Sequence, residues 1–101
     1  MVIIALKDGV ELWTARPEAL EAIQKCAEVC YENGALFAIT SITDGEHGRK
    51  SLHRYGLAFD VRSRDWDPDQ KRLLLGEFQA VLGDGYDVVD EADHTHVEYD
   101  P

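Results

Sequence analysis

Two stretches of the sequence carry histidines and carboxylates at spacings suited to metal chemistry. The first reads SLHRYGLAFD and places His53 seven residues before Asp60. The second, near the C-terminus, reads DHTHVEY and contains His94 and His96. Two imidazoles and one carboxylate are a ligand set found in catalytic zinc sites. The residue types therefore predict a metal site formed by His53, Asp60 and one or both of the later histidines.

Both stretches alternate apolar and polar residues, which is the pattern of a half-buried strand. In the first, Leu57, Phe59 and Val61 would face a core, while Asp60 projects from the opposite face together with Ala58 and Arg62. In the second, Val97 and Tyr99 alternate with the two histidines. Two such strands laid side by side would bring the polar side chains together on one face of a sheet.

The two motifs together resemble the zinc D-Ala-D-Ala carboxypeptidase family. The pattern Ser-x-His-x-x-Gly-x-Ala-x-Asp at residues 51–60 is followed by Asp-x-x-His and His-x-His. That family includes vancomycin-resistance dipeptidases and phage endolysins that cut L-Ala-D-Glu bonds, and it shares its fold with the hedgehog signalling domain. The preceding residues 39–47, ITSITDGEH, are similar to small phage or prophage members. The resemblance covers residues 36–99, and agreement of two separated motifs in order and spacing makes it specific.

The resemblance implies roles for individual residues. The zinc ligands would be His53, Asp60 and His96. Asp93, three residues before the last ligand, would be the general base that takes a proton from the attacking water. Asp is one methylene shorter than Glu, so Glu91 and Glu98 are alternative candidates for the base.

Other residues of the two motifs would support the site. We expect His94, on the same strand face as His96, to act in catalysis as a hydrogen-bond donor to the transition state or as a support for a ligand. A direct ligand role for His94 is the alternative. Glu98, also on that face, would accept the second N–H of a ligand imidazole.

The loop before the first motif is expected to contact substrate. Many family members have an arginine where this chain reads ITD at residues 42–44, so we assign Arg49, or Lys50 in its place, to the catalytic role of that arginine. Ser51 and His47 are predicted to bind substrate. His47 could also be a fourth metal ligand or simply exposed.

Length and charge limit the partners. The 101 residues are enough for a single domain, residues 1–101, and the 20 acidic against 10 basic residues give a net charge of −10. Such a surplus of carboxylates would repel a phosphate backbone, which excludes nucleic acid. No stretch reads as a signal peptide or a membrane span. We expect a monomer made in the cytoplasm that reaches the cell wall after release and has no membrane partner.

The rest of the sequence predicts two helices and several short strands. One helix opens within residues 14–17 and stops at residues 33–34, with an inward stripe of Leu20, Ile23, Ala27, Cys30 and Tyr31. The second has its N-cap at Asp67 and stops at residues 83–85, with Leu74, Phe78, Val81 and Leu82 inward. Further strands are predicted at residues 2–6, 10–13, 35–40 and 86–89. Cys26 and Cys30, four apart on one helix, are predicted to be reduced core thiols.

These observations predict an α+β domain with a mainly antiparallel sheet, two helices on one face and a zinc cleft on the other, similar to the hedgehog/DD-peptidase fold. The expected function is a zinc (Zn²⁺) metallopeptidase that cleaves peptidoglycan stem peptides, either as a D,D-carboxypeptidase or as an L-Ala-D-Glu endopeptidase of phage or prophage origin. The alternatives are a zinc-binding module that has lost turnover and a structural component of a phage particle.

Overall fold

A computed structural model describes residues 2–43 and 55–101 of the chain. The elements follow in the order β1 (Ala5–Leu6), a 3-10 turn (Leu12–Thr14), α1 (Pro17–Glu32), β2 (Ala38–Ser41), β3 (Ala58–Arg62), α2 (Pro68–Leu82), β4 (Tyr86–Asp90) and β5 (His94–Tyr99). The described strands form a five-stranded sheet in the order β1-β2-β3-β5-β4. Neighbours run antiparallel except β1, which is parallel to β2. The predicted α+β class with a mainly antiparallel sheet is confirmed.

Both helices pack on one face of the sheet around a common core. Its largest buried side chains come from alternate strand positions and from the inner faces of the helices: Ile23, Phe37, Ile39, Phe59, Val61, Leu74, Phe78 and Val97. Burying one such side chain contributes about 1.5–3 kcal/mol. Since the strand alternation is fixed by this burial, the intervening residues of β3 and β5 must lie on the opposite face.

Helix α1 begins at Pro17, the last residue of the predicted opening, and ends before Gly34, whose φ of 66° is the left-handed conformation that glycine adopts easily. The buried stripe consists mainly of small residues: Ala19, Ala22, Ile23, Cys26, Ala27 and Cys30. Leu20 and Tyr31 were predicted inward but are 38% and 56% exposed. Small residues at the centre of the stripe let the helix approach the sheet closely, which leaves these larger side chains at its edges.

Helix α2 begins and ends at the predicted signals. The Asp67 side chain accepts a hydrogen bond from the Gln70 backbone N–H at 2.8 Å, and Gly83 follows the helix with a φ of 83°. Leu74, Phe78 and Leu82 are buried, but the prediction that Val81 faces inward is wrong, because it is 43% exposed. The buried positions recur every four residues, which places Val81 at the edge of the stripe.

Both helices are short compared with a membrane-spanning helix, which needs about 20 residues. Helix α1 has 16 residues and α2 has 15. In the described part of the chain, no helix combines the length and apolar character needed to cross a bilayer.

The N-terminal prediction is wrong in one element. Residues 10–13 form no strand, and Leu12–Thr14 is instead a 3-10 turn closed by the bond from the Thr14 N–H to the Glu11 carbonyl at 2.9 Å. The Thr14 hydroxyl donates to the same carbonyl at 2.6 Å, so a local side-chain bond competes with strand pairing here. The turn leads the chain directly into α1.

The segment that runs into β3 is joined to the start of α1 at Gly56. The Arg16 N–H donates to the Gly56 carbonyl at 2.8 Å, and Arg16 Nε donates to the Tyr55 carbonyl at 3.1 Å. Gly56 has a φ of 68°, and a Cβ at this position would lie 2.2 Å from the Thr14 carbonyl oxygen. Only glycine fits this junction, which holds the chain in place immediately before the predicted site strand.

Cys26 and Cys30 are free thiols in the core, as predicted. Burial raises the pKa of Cys30 to about 12. Burial, with a smaller effect from the neighbouring Cys30, also raises the pKa of Cys26. Since the thiolate is the reactive and metal-binding form, these cysteines are structural at neutral pH.

Candidate functional site

Strands β3 and β5 place the predicted polar residues on the sheet face opposite the helices. Asp60 lies directly across from His96, and Arg62 lies across from His94. A slip of one residue would turn these charged side chains into the core, so burial of the alternate residues fixes the register. The strand pairing expected from the sequence is therefore present, and it brings Asp60 together with both histidines.

His96 contacts carboxylates through both of its ring nitrogens. Nδ1 lies 3.0 Å from Asp60 Oδ1, and Nε2 lies 3.1 Å from Glu98 Oε1. The hydrogen bond to Asp60 is the largest cause of a raised pKa for His96; partial burial opposes the shift, and the charges of Asp60 and Glu98 add to it. The predicted support of the His96 ring by Glu98 thus has the required geometry.

The Asp60 and His96 side chains fit two neighbouring ligand positions of a zinc ion. A tetrahedral zinc with bonds of about 2.0–2.1 Å holds neighbouring ligand atoms about 3.3 Å apart. The 3.0 Å between Oδ1 and Nδ1 is close to that separation. With Nδ1 as the ligand atom, the Nε2–H would donate to Glu98, an arrangement that fixes the tautomer of a ligand imidazole. His53, the third predicted ligand, lies outside the described residues and stays a prediction.

Asp93 and His94 extend the group on the same side. Asp93 Oδ1 lies 2.9 Å from His94 Nδ1, while His94 Nε2 lies 3.9 Å from Asp60 Oδ1. The hydrogen bond with His94 holds the pKa of Asp93 below its usual value, and the charge of Arg64 adds slightly to this effect. Asp93 is exposed and ionised at neutral pH, so it can accept a proton, although its lowered pKa makes it a weak base.

A cavity of about 580 Å³ opens beside these residues and is lined by Asp60, Asp93 and His94. Residues of β1 and β2, including Ala5 and Ala38, line it as well. Its volume lies within the range of about 300–1,000 Å³ that is usual for small-ligand sites. Titratable groups therefore line a cavity that is large enough for a small ligand.

The predicted site residues divide into two groups. The described ones, brought together on one face, are Asp60, Asp93, His94 and His96. The predictions for His47, Arg49, Ser51 and His53 lie outside the described residues.

Three basic residues of the cavity were missed by sequence reasoning. Lys7, Arg62 and Arg64 line it together with the acidic group. Arg62 alternates with Asp60 along β3, so the period-2 pattern places it on the site face, but that pattern alone assigns it no role. Lys7 gives no such signal, because it reaches the cavity through the parallel pairing of β1 with β2.

Among the described residues, a separate group of carboxylates lies at the β4–β5 end of the same sheet. Ligand oxygens of Asp87, Glu98 and Asp100 lie within 4.8 Å of one another. A set made only of oxygen atoms suits hard cations such as Ca²⁺ better than zinc. These acidic groups therefore give no support to the predicted zinc site beyond the contact of Glu98 with His96.

Comparison with known proteins does not identify a family. No protein family model matches the chain, and no curated protein matches it. The features of the chain that bear on its function are the two sequence motifs and the geometry of β3 and β5.

Proposed function

We propose that the chain is a zinc-dependent peptidase of the hedgehog/DD-peptidase fold that cleaves the stem peptides of peptidoglycan. The main support is the pairing of Asp60 with His96 across β3 and β5, with their side chains 3.0 Å apart. Asp93 and His94 lie beside this pair at the wall of the cavity. The motif spacing of residues 51–60 supplies His53 as the remaining ligand.

In this proposal, each residue of the group has a defined task. His53, Asp60 and His96 hold the ion, and Glu98 orients the imidazole of His96 through Nε2. A bound zinc ion would supply Lewis acidity, which polarises a peptide carbonyl and makes water available as a nucleophile near neutral pH.

Asp93 carries the proton transfer. Its carboxylate, kept ionised by the hydrogen bond from His94, accepts a proton from the attacking water and then gives it to the amine of the departing residue. Such transfers contribute roughly 10²–10⁴ in rate. His94 positions Asp93 at one ring nitrogen and approaches Asp60 with the other, so it holds the base beside the metal ligand.

A second candidate function is a zinc-binding module without turnover. It is favoured by the exposure and lowered pKa of Asp93, because both properties make a poor general base. The absence of the family's arginine from residues 42–44 also favours a module without turnover. In this alternative the ion stabilises the sheet face and the cavity binds a peptide without cutting it.

Digestion of purified peptidoglycan separates these functions. New α-amino groups, on released D-Ala or on new peptide ends, are measured after incubation with the native protein, an EDTA-treated sample, the treated sample with zinc restored, Asp93→Ala and Asp84→Ala. Asp84 is an exposed acid in the turn after α2 and serves as the matched control. We expect release by the native, zinc-restored and Asp84→Ala proteins, none after EDTA, and a rate roughly 10²–10⁴ lower for Asp93→Ala.

If the native protein releases no peptide ends, its zinc content, measured by native mass spectrometry, separates the remaining possibilities. One zinc ion per chain, lost in His96→Ala, together with no release of peptide ends would favour the binding module. A folded native protein that takes up no zinc would exclude both candidate functions.

A further inference from the structure

The cavity beside Asp60 and His94 is also where basic residues of this acidic chain gather. Lys7, Arg62 and Arg64 line it, and they are three of only 10 basic residues in a chain with a net charge of −10. Positive groups concentrated at a concave surface attract anions locally even when the whole molecule repels them. The lining therefore indicates a place for a negatively charged group of a ligand.

The bonding of these residues leaves donors available. Among the described residues, Lys7 and Arg64 have no ion-pair partner, whereas Lys71 on α2 pairs with Asp90. Arg62 Nη2 lies 2.9 Å from Asp65 Oδ2, and within residues 2–43 and 55–101 the buried Arg62 Nε–H meets no hydrogen-bond acceptor. A buried donor without a partner is destabilising, so a shift of the Arg62 side chain that brings this N–H to an acceptor on a ligand would be favourable.

Two carboxylates line the same cavity and would oppose an anion. Both contact histidine rings, since Asp60 lies 3.0 Å from His96 and Asp93 lies 2.9 Å from His94. The charge of Arg64 also acts on Asp93. The three basic residues still outnumber the two carboxylates of the cavity, so its lining keeps a positive balance for part of a ligand.

We propose that Lys7, Arg62 and Arg64 form a carboxylate subsite that holds the α-carboxylate of the residue whose amine leaves on cleavage. This inference rests on the proposed function and adds the feature of the peptide that is recognised. Both candidate bonds share that feature. A leaving D-Ala has a terminal α-carboxylate, and a D-Glu linked onward through its side chain keeps a free one.

The placement of Arg62 suits this role. It follows Asp60 by two residues on the same face of β3 and lies across from His94. Same-face neighbours on a strand are about 7 Å apart, a distance that a guanidinium at the end of its side chain can cover. A carboxylate one residue beyond the scissile carbonyl would thus reach Arg62 while that carbonyl lies at Asp60. The planar guanidinium also matches a carboxylate through paired N–H donors.

Binding of uncleavable peptides to the native, zinc-loaded protein tests the subsite. The first probe pair is Nα-acetyl-L-Lys-D-Ala-D-Ala with the scissile amide reduced to a methyleneamine, as the carboxylate and as the C-terminal carboxamide. The second is N-acetyl-L-Ala-D-Glu with the same reduction and a γ-methylamide, as the α-carboxylate and as the α-carboxamide. Calorimetry gives the affinity ratio for each pair.

We expect the carboxylate to bind at least about tenfold tighter than the carboxamide in one of the pairs. Arg62→Gln and Arg64→Gln should each reduce that preference to about threefold or less. Arg72→Gln is the matched control, because Arg72 is an exposed arginine on α2 that pairs with Asp69 away from the cavity. The pair with the larger preference identifies D-Ala or D-Glu as the leaving residue.

Three results would overturn the subsite: equal affinities within both pairs, a preference that survives in both arginine variants, or no binding by the folded native protein. Peptidoglycan cleavage is measured in parallel. Cleavage without carboxylate preference would remove the subsite and leave the proposed function. A carboxylate preference that depends on Arg64, in a protein that cleaves no peptidoglycan, would keep the subsite and remove the proposed peptidase function.

Discussion

At the scale of single residues, His96 determines how the site is arranged. A neutral imidazole carries one N–H, yet both ring nitrogens of His96 face a carboxylate. With a cation at Nδ1, the single N–H belongs on Nε2 and donates to Glu98. Glu98 would then fix both the tautomer and the ring orientation of a metal ligand without touching the metal.

This role predicts that Glu98→Ala lowers zinc affinity by about 10–100-fold, as expected when the partner of a ligand histidine is removed. Glu98→Gln should lose less, because its amide oxygen can still accept the N–H. Competition with a chromophoric chelator measures both affinities. The control is Asp87→Ala on β4, directly across from Glu98, which should leave the affinity unchanged. An equal loss at Asp87 would place the ion among the carboxylates of Asp87, Glu98 and Asp100 instead.

At the scale of elements, the junction at Gly56 holds the start of β3. The backbone there combines a left-handed φ with a close approach to the Thr14 carbonyl. Both features exclude a side chain, and the bond from the Arg16 N–H joins the same segment to α1. The position of Asp60 on β3 therefore depends on a contact with the segment that precedes α1.

Gly56→Ala should destabilise the protein more than Gly34→Ala. The two glycines have nearly the same φ, 68° and 66°, but a Cβ at Gly34 meets nothing within 4 Å. Gly34→Ala should cost about 1–2 kcal/mol from the backbone conformation alone. The overlap with the Thr14 oxygen should add about 1–3 kcal/mol for Gly56→Ala. Urea unfolding of both variants measures the difference, and equal losses would mean that the Thr14 carbonyl moves aside freely.

The elements that the sequence predicts well are those with local signals. Asp67 followed by Pro68 gave the start of α2, and the alternation of Asp60 with Val61 gave both the strand and the face of the carboxylate. The 3-10 turn at Leu12–Thr14 was missed because its apolar residues resemble a short strand, while the Thr14 hydroxyl bonds locally. Lys7 was missed because its position depends on pairing between strands far apart in sequence.

At the scale of the whole molecule, the sheet separates stability from chemistry. The helices cover one face and bury the apolar residues of β2, β3 and β5, whereas the other face carries the carboxylates, imidazoles and basic groups. Substitutions on the outer face should therefore change binding with little loss of stability. The buried thiols of α1 belong to the covered face, and they make the stability of the fold depend on pH.

The raised pKa values of the two thiols should make the folded chain less stable at alkaline pH. An unfolded cysteine has a pKa of about 8.5, whereas burial raises the pKa of Cys30 to about 12 in the folded chain. Above pH 8.5 the folded state binds more protons than the unfolded state, so the stability present below that pH is lost as the pH rises toward 12. Between pH 7 and pH 10, Cys30 should account for a loss of about 2 kcal/mol, and Cys26 adds to it in the same direction.

Urea unfolding at both pH values measures this loss in the native protein and in a Cys26→Ala/Cys30→Ala variant. Groups that do not interact with the thiols contribute equally to both proteins, and Tyr86, whose pKa is raised chiefly by burial and least by Cys26, contributes almost equally. The difference between their pH dependences therefore isolates the thiols. The variant is expected to be less stable at pH 7, because it loses buried volume, but to change less on going to pH 10. Identical pH dependences would mean that the thiols ionise as readily in the folded protein as in the unfolded one. Rapid alkylation of the native protein at pH 8 would contradict the prediction in the same way, because it would show that solvent reaches the thiols of α1.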